Sequence, residues 1–456
     1  MKKIENIITK QKLAKVLENY FNKDNIEILD FKINNIWKPW GINANFAYIE
    51  DVIYNNGNNS ILPNKFLVKK YKSKLYKITT NKEIDVKFKY LNEKLIYSFL
   101  DENTFYEDYK TKIPLVVTCY NNKYDIFDND RILIFNYGGE ENEKKLIDLG
   151  REIRKNESLN NLNKEIKTES KNRISELEEE IKKIMEKSLK STSFLHLKLI
   201  ENQKKLDDLE IFKPSKEYYQ EGFLRYINNL FTAELYKENG SSKTILEKSS
   251  MILANYLSGN NEKTCKFLSA IHGDLNNRNI LDRNEKFSIF CDLDHFRKAL
   301  LSFDVAKQTI NDTIYLKLDE RKKLIEYSYI NTLNDLLKDT EFKDLVIDNK
   351  KHFVGTVLIS SLFEILKTSM FIKKVEENFP KKYNKFLVYD SLYPFDINPK
   401  SVEYNMDLFR LIAKDIINNN YNLPNEIVDS VDNLEKLIEK LIIKKKEDKK
   451  EKSYTN

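Results

Sequence analysis

One ten-residue stretch constrains this chain more than any other: His272-Gly273-Asp274-Leu275-Asn276-Asn277-Arg278-Asn279-Ile280-Leu281. It sets a His two places before an Asp, a Gly between them, and an Asn five places after that Asp. Asp292 follows thirteen residues after Asn279, in the run Phe290-Cys291-Asp292-Leu293-Asp294. The residues Phe287-Ser288-Ile289-Phe290-Cys291 read as a short buried strand leading into it. Asp-x-x-x-x-Asn alone arises often in an Asn-rich chain. His272 and Gly273 ahead of Asp274, and the apolar strand ahead of Asp292, make the pattern specific.

The pattern resembles the catalytic core of the aminoglycoside phosphotransferase and choline kinase family, His-Gly-Asp-x-x-x-x-Asn followed by a strand ending in Ile-Asp-x-Asp/Glu. Phosphoryl transfer through a loose transition state asks for positioning and charge neutralisation more than covalent work. The resemblance therefore implies that Asp274 orients an acceptor hydroxyl and takes its proton. Asn279 and Asp292 are the implied Mg2+ ligands, with nucleotide phosphates and water completing an all-oxygen set. His272 is expected to support the loop by hydrogen bonding, and Asp294 to support it from the metal strand. Ser302-Phe303-Asp304-Val305-Ala306 resembles the family's hydrophobic-Asp-Leu-Ala segment, which makes Asp304 a buttress below the loop. His295 could ligate metal or serve structure; magnesium avoids imidazole, which favours structure.

The 456 residues suffice for two or three domains or one two-lobed enzyme, at about 150 residues per domain. With 41% hydrophobic residues a large core can form, and only 10 Gly and 8 Pro favour helix over linker. Net charge is +6, of which Lys444 to Lys452 supplies +3, six lysines against three acids. The remainder is nearly balanced, so no nucleic-acid groove is expected. The basic tail, 444–456, is a solvated end or an electrostatic tether. Cys119, Cys265 and Cys291 are isolated, which suggests a reducing, cytoplasmic setting. No apolar run follows Met1-Lys2-Lys3, so no signal peptide is expected. The most apolar stretch, Phe353 to Leu366, is interrupted by Gly355, Ser360, Ser361 and Glu364 and is expected not to span a membrane.

In chain order, 11–21 reads as a helix that packs on a sheet, and Ile26 to Ile33 as a strand. Trp37 to Ile49 reads as strand, turn, strand. Gly41, Asn45 and Tyr48 fit loosely the family's nucleotide-covering turn, Gly-x-x-Asn-x-x-Tyr; the alternative is an ordinary hairpin turn. In Phe66-Leu67-Val68-Lys69-Lys70-Tyr71, Lys69 resembles the third-strand lysine that contacts the α- and β-phosphates, or is a solvated strand lysine. Residues 82–101 read as a helix with Leu91, Leu95 and Phe99 on one face. Glu93 is the candidate partner that holds Lys69, with Glu83 as the alternative. Ile113 to Val117 and Arg131 to Phe135 read as strands, and Asn136 to Gly139 as the hinge, where adenine would meet backbone near Phe135 and Tyr137.

Beyond the hinge the pattern turns helical, over 142–155, 217–237 and 244–257. Residues 165–212 depart from the family pattern. Ile174, Leu177, Ile181 and Ile184 are spaced 3-4-3, Ser191-Thr192-Ser193 breaks the run, and Leu195, Leu199, Leu206 and Leu209 resume it. This reads as an inserted helical hairpin, serving either as a dimer or partner arm or as longer lobe helices. From 310 to 446 the pattern is helical, with Tyr329, Phe353, Leu362, Phe363 and Leu366 as core.

The expected fold class is α+β, two-lobed and protein-kinase-like. Residues 1–139 form the antiparallel-sheet lobe. Residues 140–456 form the helical lobe, with catalytic loop 272–281 and metal strand 287–294. His-Gly-Asp rather than His-Arg-Asp, and only ten residues from Asp294 to Asp304, point to the small-molecule branch. The implied activity is a Mg2+-dependent kinase using ATP or GTP on a hydroxyl of an aminoglycoside, choline or other amino alcohol, or sugar. The alternatives are a kinase acting on a protein and a silent nucleotide-binding scaffold acting through its helical arm.

Overall fold

A computed structural model describes residues 4–36, 44–55, 62–72, 74–77, 82–85, 87–102, 119–121, 123, 126–136, 140–159, 164–209, 211–236, 240–282, 288–310, 316–378 and 402–454. The chain divides into two compact units. One comprises Met1–Glu140 with Leu281–His295, the other Glu141–Ile280 with Phe296–Asn456.

The first unit is built on a four-stranded antiparallel sheet of β1 (Ile28–Ile36), β2 (Ala44–Tyr54), β3 (Phe66–Tyr71) and β6 (Ile132–Asn136), in that order. A hairpin of β4 (Lys74–Lys77) and β5 (Lys82–Asp85) precedes helix α2 (Lys87–Glu102). The first helix, α1 (Lys10–Phe21), starts where the Thr9 hydroxyl accepts the Lys12 N–H. It stops at Asn22, which takes the left-handed conformation. Its stripe Leu13, Val16 and Leu17 is fully buried, and packs with Ala47, Ile49, Phe66, Val68, Ile132 and Ile134 of the sheet. Side chains alternate along β3, so Phe66 and Val68 share that core while Lys69 and Tyr71 share the opposite face.

Of the α2 stripe expected from Leu91, Leu95 and Phe99, only Phe99 is buried; Leu91 and Leu95 are each 45% exposed, and Phe99 shares its burial with Tyr90, Glu93, Ile96, Tyr97 and Leu100. The helix rolls to bring Glu93 inward, where an ion pair awaits it. The expected strand at 113–117 lies outside the described residues. The expected metal strand, 287–294, is shorter: Ser288–Phe290 is strand and Leu293–His295 a 3-10 turn.

The second unit is helical. The expected hairpin over 165–212 is corrected to one continuous helix, Lys164–Glu201, of 38 residues, followed by a short helix, Gln203–Asp207. Ser191, Thr192 and Ser193 do not break it. Thr192 Oγ1 donates to Ser188 O at 2.9 Å and Ser193 Oγ to Leu189 O at 3.1 Å, so their hydroxyls are satisfied inside the helix. Nor is the segment an arm. Leu177, Ile181, Leu189 and Leu199 are fully buried, and Ser193 Oγ also reaches Tyr329 O at 3.0 Å. The 3-4-3 stripe is the face a core helix buries.

Helix Lys350–Asn378 contributes Phe353, Leu362, Phe363 and Leu366, each at most 1% exposed, and Tyr329 joins them at 0%. By length and composition this helix could cross a membrane, but 83% of its most apolar window is buried inside the protein. It packs on Lys216–Leu230, Ser302–Thr309 and Val402–Asn418 as the central helix of the unit. The basic tail continues helix Asn425–Tyr454.

Candidate functional site

In the sheet unit, Lys69 sits mid-strand, opposite Phe46 on β2 and Leu133 on β6. Its Nζ lies 2.8 Å from Glu93 Oε2 and 2.5 Å from Asp292 Oδ1. The Lys69 and Glu93 side chains are 4% and 0% exposed, whereas Asp292 is 32% exposed. Tyr71, two residues along the same face, donates its hydroxyl to Glu93, and its ring lies 4.8 Å from Lys69 Nζ. Strand alternation thus puts Lys69 and Tyr71 on one carboxylate, and the turn after Ser288–Phe290 delivers Asp292 to the same ammonium. Asp292 has φ 66°, a left-handed conformation that a non-glycine residue adopts at a cost.

Other expected nucleotide contacts resolve less fully. Gly41 and Tyr137 lie outside the described residues. Asn45 is not in a turn but in β2, paired with Lys70. Phe135 is a strand residue between Leu67 and Cys119, 3% exposed, with its ring 5.1 Å from that of Tyr97. Of Asp294, only its place in the 3-10 turn is described, and His295 is exposed.

In the helical unit, strand Leu268–Ile271 pairs antiparallel with Arg297–Leu300 and delivers His272 to Asn279. Asp304 holds the start of this loop. Its Oδ2 accepts the His272 N–H at 2.8 Å, its Oδ1 the Gly273 N–H at 2.9 Å, and His196 Nε2 lies 3.2 Å from Oδ2. His196 Nδ1 in turn meets Tyr329 Oη at 2.6 Å. Burial opposes Asp304's ionisation, yet the His196 hydrogen bond and the loop N–H outweigh it and hold its pKa below the usual carboxylate value. Gly273, with φ 81°, allows the reversal between the two clamped amides and Asp274.

The loop closes on itself. Asn279 Nδ2 donates to Asp274 O at 2.7 Å, Asn276 N to Asp274 O at 2.8 Å, and Asp274 N approaches His272 Nδ1 at 3.4 Å. His272 is fully buried.

Sequence reasoning missed what stands beside Asp274. Lys307 Nζ is 2.5 Å from Asp274 Oδ1 and 3.4 Å from Glu364 Oε2. Burial favours a neutral amine, but Asp274 and Glu364 overcome it and raise the Lys307 pKa. Burial likewise opposes Glu364's charge, but Lys307, Lys367 and Arg297 bring its pKa down to about 2. One signal was available: Lys307 lies one helical turn after Asp304, on the same face of Ser302–Thr309. His196 and Glu364, distant in sequence, gave none.

Chemically, the first cluster is a fixed, buried cation beside a partly exposed carboxylate. The second is a rigid loop offering one carboxylate and one amide. The oxygens of Asp292 and Asn279 are the hard donors magnesium takes.

No protein-family model matches the sequence, and none of the curated proteins matches it. Among solved structures the chain is similar to the gentamicin complex of APH(2")-IIa, at 12% identity over 87% of this chain and 99% of that one, with a TM-score of 0.45. It is similar to a Plasmodium vivax ethanolamine kinase, at 14% identity over 78% of each chain and a TM-score of 0.41. It is also similar to the choline kinase LicA from Streptococcus pneumoniae, at 11% identity over 90% of this chain and 99% of that one, with a TM-score of 0.41. Similarity this distant assigns no activity to the chain.

Proposed function

We propose that this chain is a phosphotransferase that moves the γ-phosphate of ATP or GTP to a hydroxyl of a small molecule, with Mg2+. The observation that carries the reading is Lys69, buried mid-strand between Glu93 and Asp292. A lysine so placed is a fixed positive charge, and Glu93 aims it. Its role is to bind the α- and β-phosphates. Asp292 and Asn279 would hold magnesium, which neutralises phosphate charge when bound. Asp274 accepts the proton of the attacking hydroxyl, within a loop that Asp304 and His272 keep rigid. Gly41 and Asn45 are the proposed phosphate contacts, and Phe135 and Tyr137 the proposed adenine contacts.

The scaffold alternative loses its motive, because helix Lys164–Glu201 is core and not an arm. The test is calorimetric titration of ATP and of GTP with and without magnesium, followed by a phosphate-transfer screen on hydroxylated small molecules. Magnesium-dependent binding of one nucleotide and transfer to one acceptor class are expected. A chain that binds neither nucleotide is not a kinase.

A further inference from the structure

Beside Asp274, the helical unit gathers three cations around one buried carboxylate. Glu364 Oε2 lies 3.4 Å from Lys307 Nζ and 3.1 Å from Lys367 Nζ, and Glu364 Oε1 lies 3.6 Å from Arg297 Nη2. Lys307 also reaches Asp274 at 2.5 Å. Glu364 is 2% exposed and Arg297 6%. Arg297 is one strand residue from the loop, opposite Ile271, with its guanidinium 5.4 Å from the Phe303 ring centroid.

The Arg297–Glu364 contact is longer than a hydrogen bond. Among the described residues, Arg297 Nε and Nη2 are buried with no hydrogen-bond partner, and so is the hydroxyl of its electrostatic neighbour Tyr219. Buried guanidinium N–H groups are costly to leave unmet, so the cluster is short of an anionic acceptor. Three cations stand against two carboxylates in the cluster, both already ion-paired, so a polycation or quaternary amine meets net positive charge here.

We propose that the acceptor substrate carries an anionic group, a carboxylate or phosphate, that binds Arg297 and Lys307 beside Asp274. This rests on the phosphotransferase reading and narrows its acceptor to hydroxy acids and phosphorylated polyols. A phosphate of the nucleotide has the same chemistry, so the test separates the two sources.

The probe is inorganic phosphate, titrated calorimetrically into the full chain. Binding is expected to weaken about 10- to 100-fold in Arg297→Met, the scale of a lost charge-assisted hydrogen bond, and less in Arg297→Lys. Near-UV circular dichroism checks folding; should Arg297→Met not fold, Arg297→Lys and Lys307→Gln carry the comparison. Repeating the titration with a saturating magnesium complex of a non-hydrolysable ATP analogue should leave phosphate binding intact, and turnover should favour hydroxy acids and sugar phosphates over aminoglycosides and amino alcohols. Displacement of phosphate by the analogue, unchanged binding in the variants, or turnover confined to cationic acceptors overturns the inference. So does a chain that binds magnesium nucleotide but not phosphate, and the phosphotransferase reading survives that result. Failure to bind nucleotide at all removes both.

Discussion

Replacing Lys69 by Met tests whether the buried ammonium and Glu93 are one unit. The two charges stand 2.8 Å apart, and Glu93 is 0% exposed. At an effective dielectric near 20, such a pair attracts by about 6 kcal/mol, and desolvation of both groups offsets most of that. Removing only the cation keeps the desolvation cost and loses the attraction. Glu93 then keeps the Tyr71 hydroxyl but loses the Lys69 charge, so Lys69→Met should destabilise by about 3–5 kcal/mol. Glu93→Gln keeps the shape and leaves Lys69 beside Asp292, so it should cost about 1–3 kcal/mol. The double variant buries neither charge and should fall short of the summed single effects by about 2 kcal/mol or more. Urea denaturation of the four proteins at neutral pH, followed by circular dichroism, measures the cycle. Additivity to within about 0.5 kcal/mol would refute the coupling, and with it the claim that Glu93 holds Lys69.

Three further outcomes are expected. Asp274→Asn should leave magnesium-dependent nucleotide affinity near wild type and lower kcat by about 10²–10⁴-fold, whereas Asp292→Asn should weaken both; nucleotide titration paired with turnover distinguishes them. Asp304→Asn would turn an amide nitrogen towards a backbone N–H and should destabilise by about 3 kcal/mol at pH 7. Because the folded state lowers the Asp304 pKa, its stabilisation is fully present above the unfolded value, about 3.9, and is lost as pH falls through the folded value. The deficit of the variant, measured by denaturation across pH, should therefore shrink below about pH 4. Leu189→Ala, at a fully buried site of helix Lys164–Glu201, should cost about 2–5 kcal/mol in the same assay, and a deletion of 164–201 should not fold.

Local signals in the sequence are legible where chemistry and periodicity coincide. The apolar stripe of α1 and the alternation that separates Lys69 from Lys70 follow from spacing, whereas the Asp304 contact with the loop is what the family resemblance implies. The errors have a common cause. Spacing places Leu91 and Leu95 with Phe99 on one face of α2, and residue type makes Ser191 to Ser193 a break, but tertiary partners decide otherwise. The face α2 buries carries Tyr90, Ile96, Tyr97 and Leu100 with Glu93 among them. Ser193 and Thr192 stayed helical because carbonyls of the preceding turn accept their hydroxyls. The cluster of Lys307, Glu364 and Arg297 unites three distant segments, and no spacing rule on one chain reveals such a meeting.

Under the proposed function, the left-handed backbone at Asp292 sets stability and activity against each other at a single position. An L-residue held there costs the fold roughly 1–2 kcal/mol, which glycine would recover. Glycine would also leave Lys69 with Glu93, one cation to one carboxylate. A lineage that no longer needed the carboxylate would therefore be rewarded for losing it.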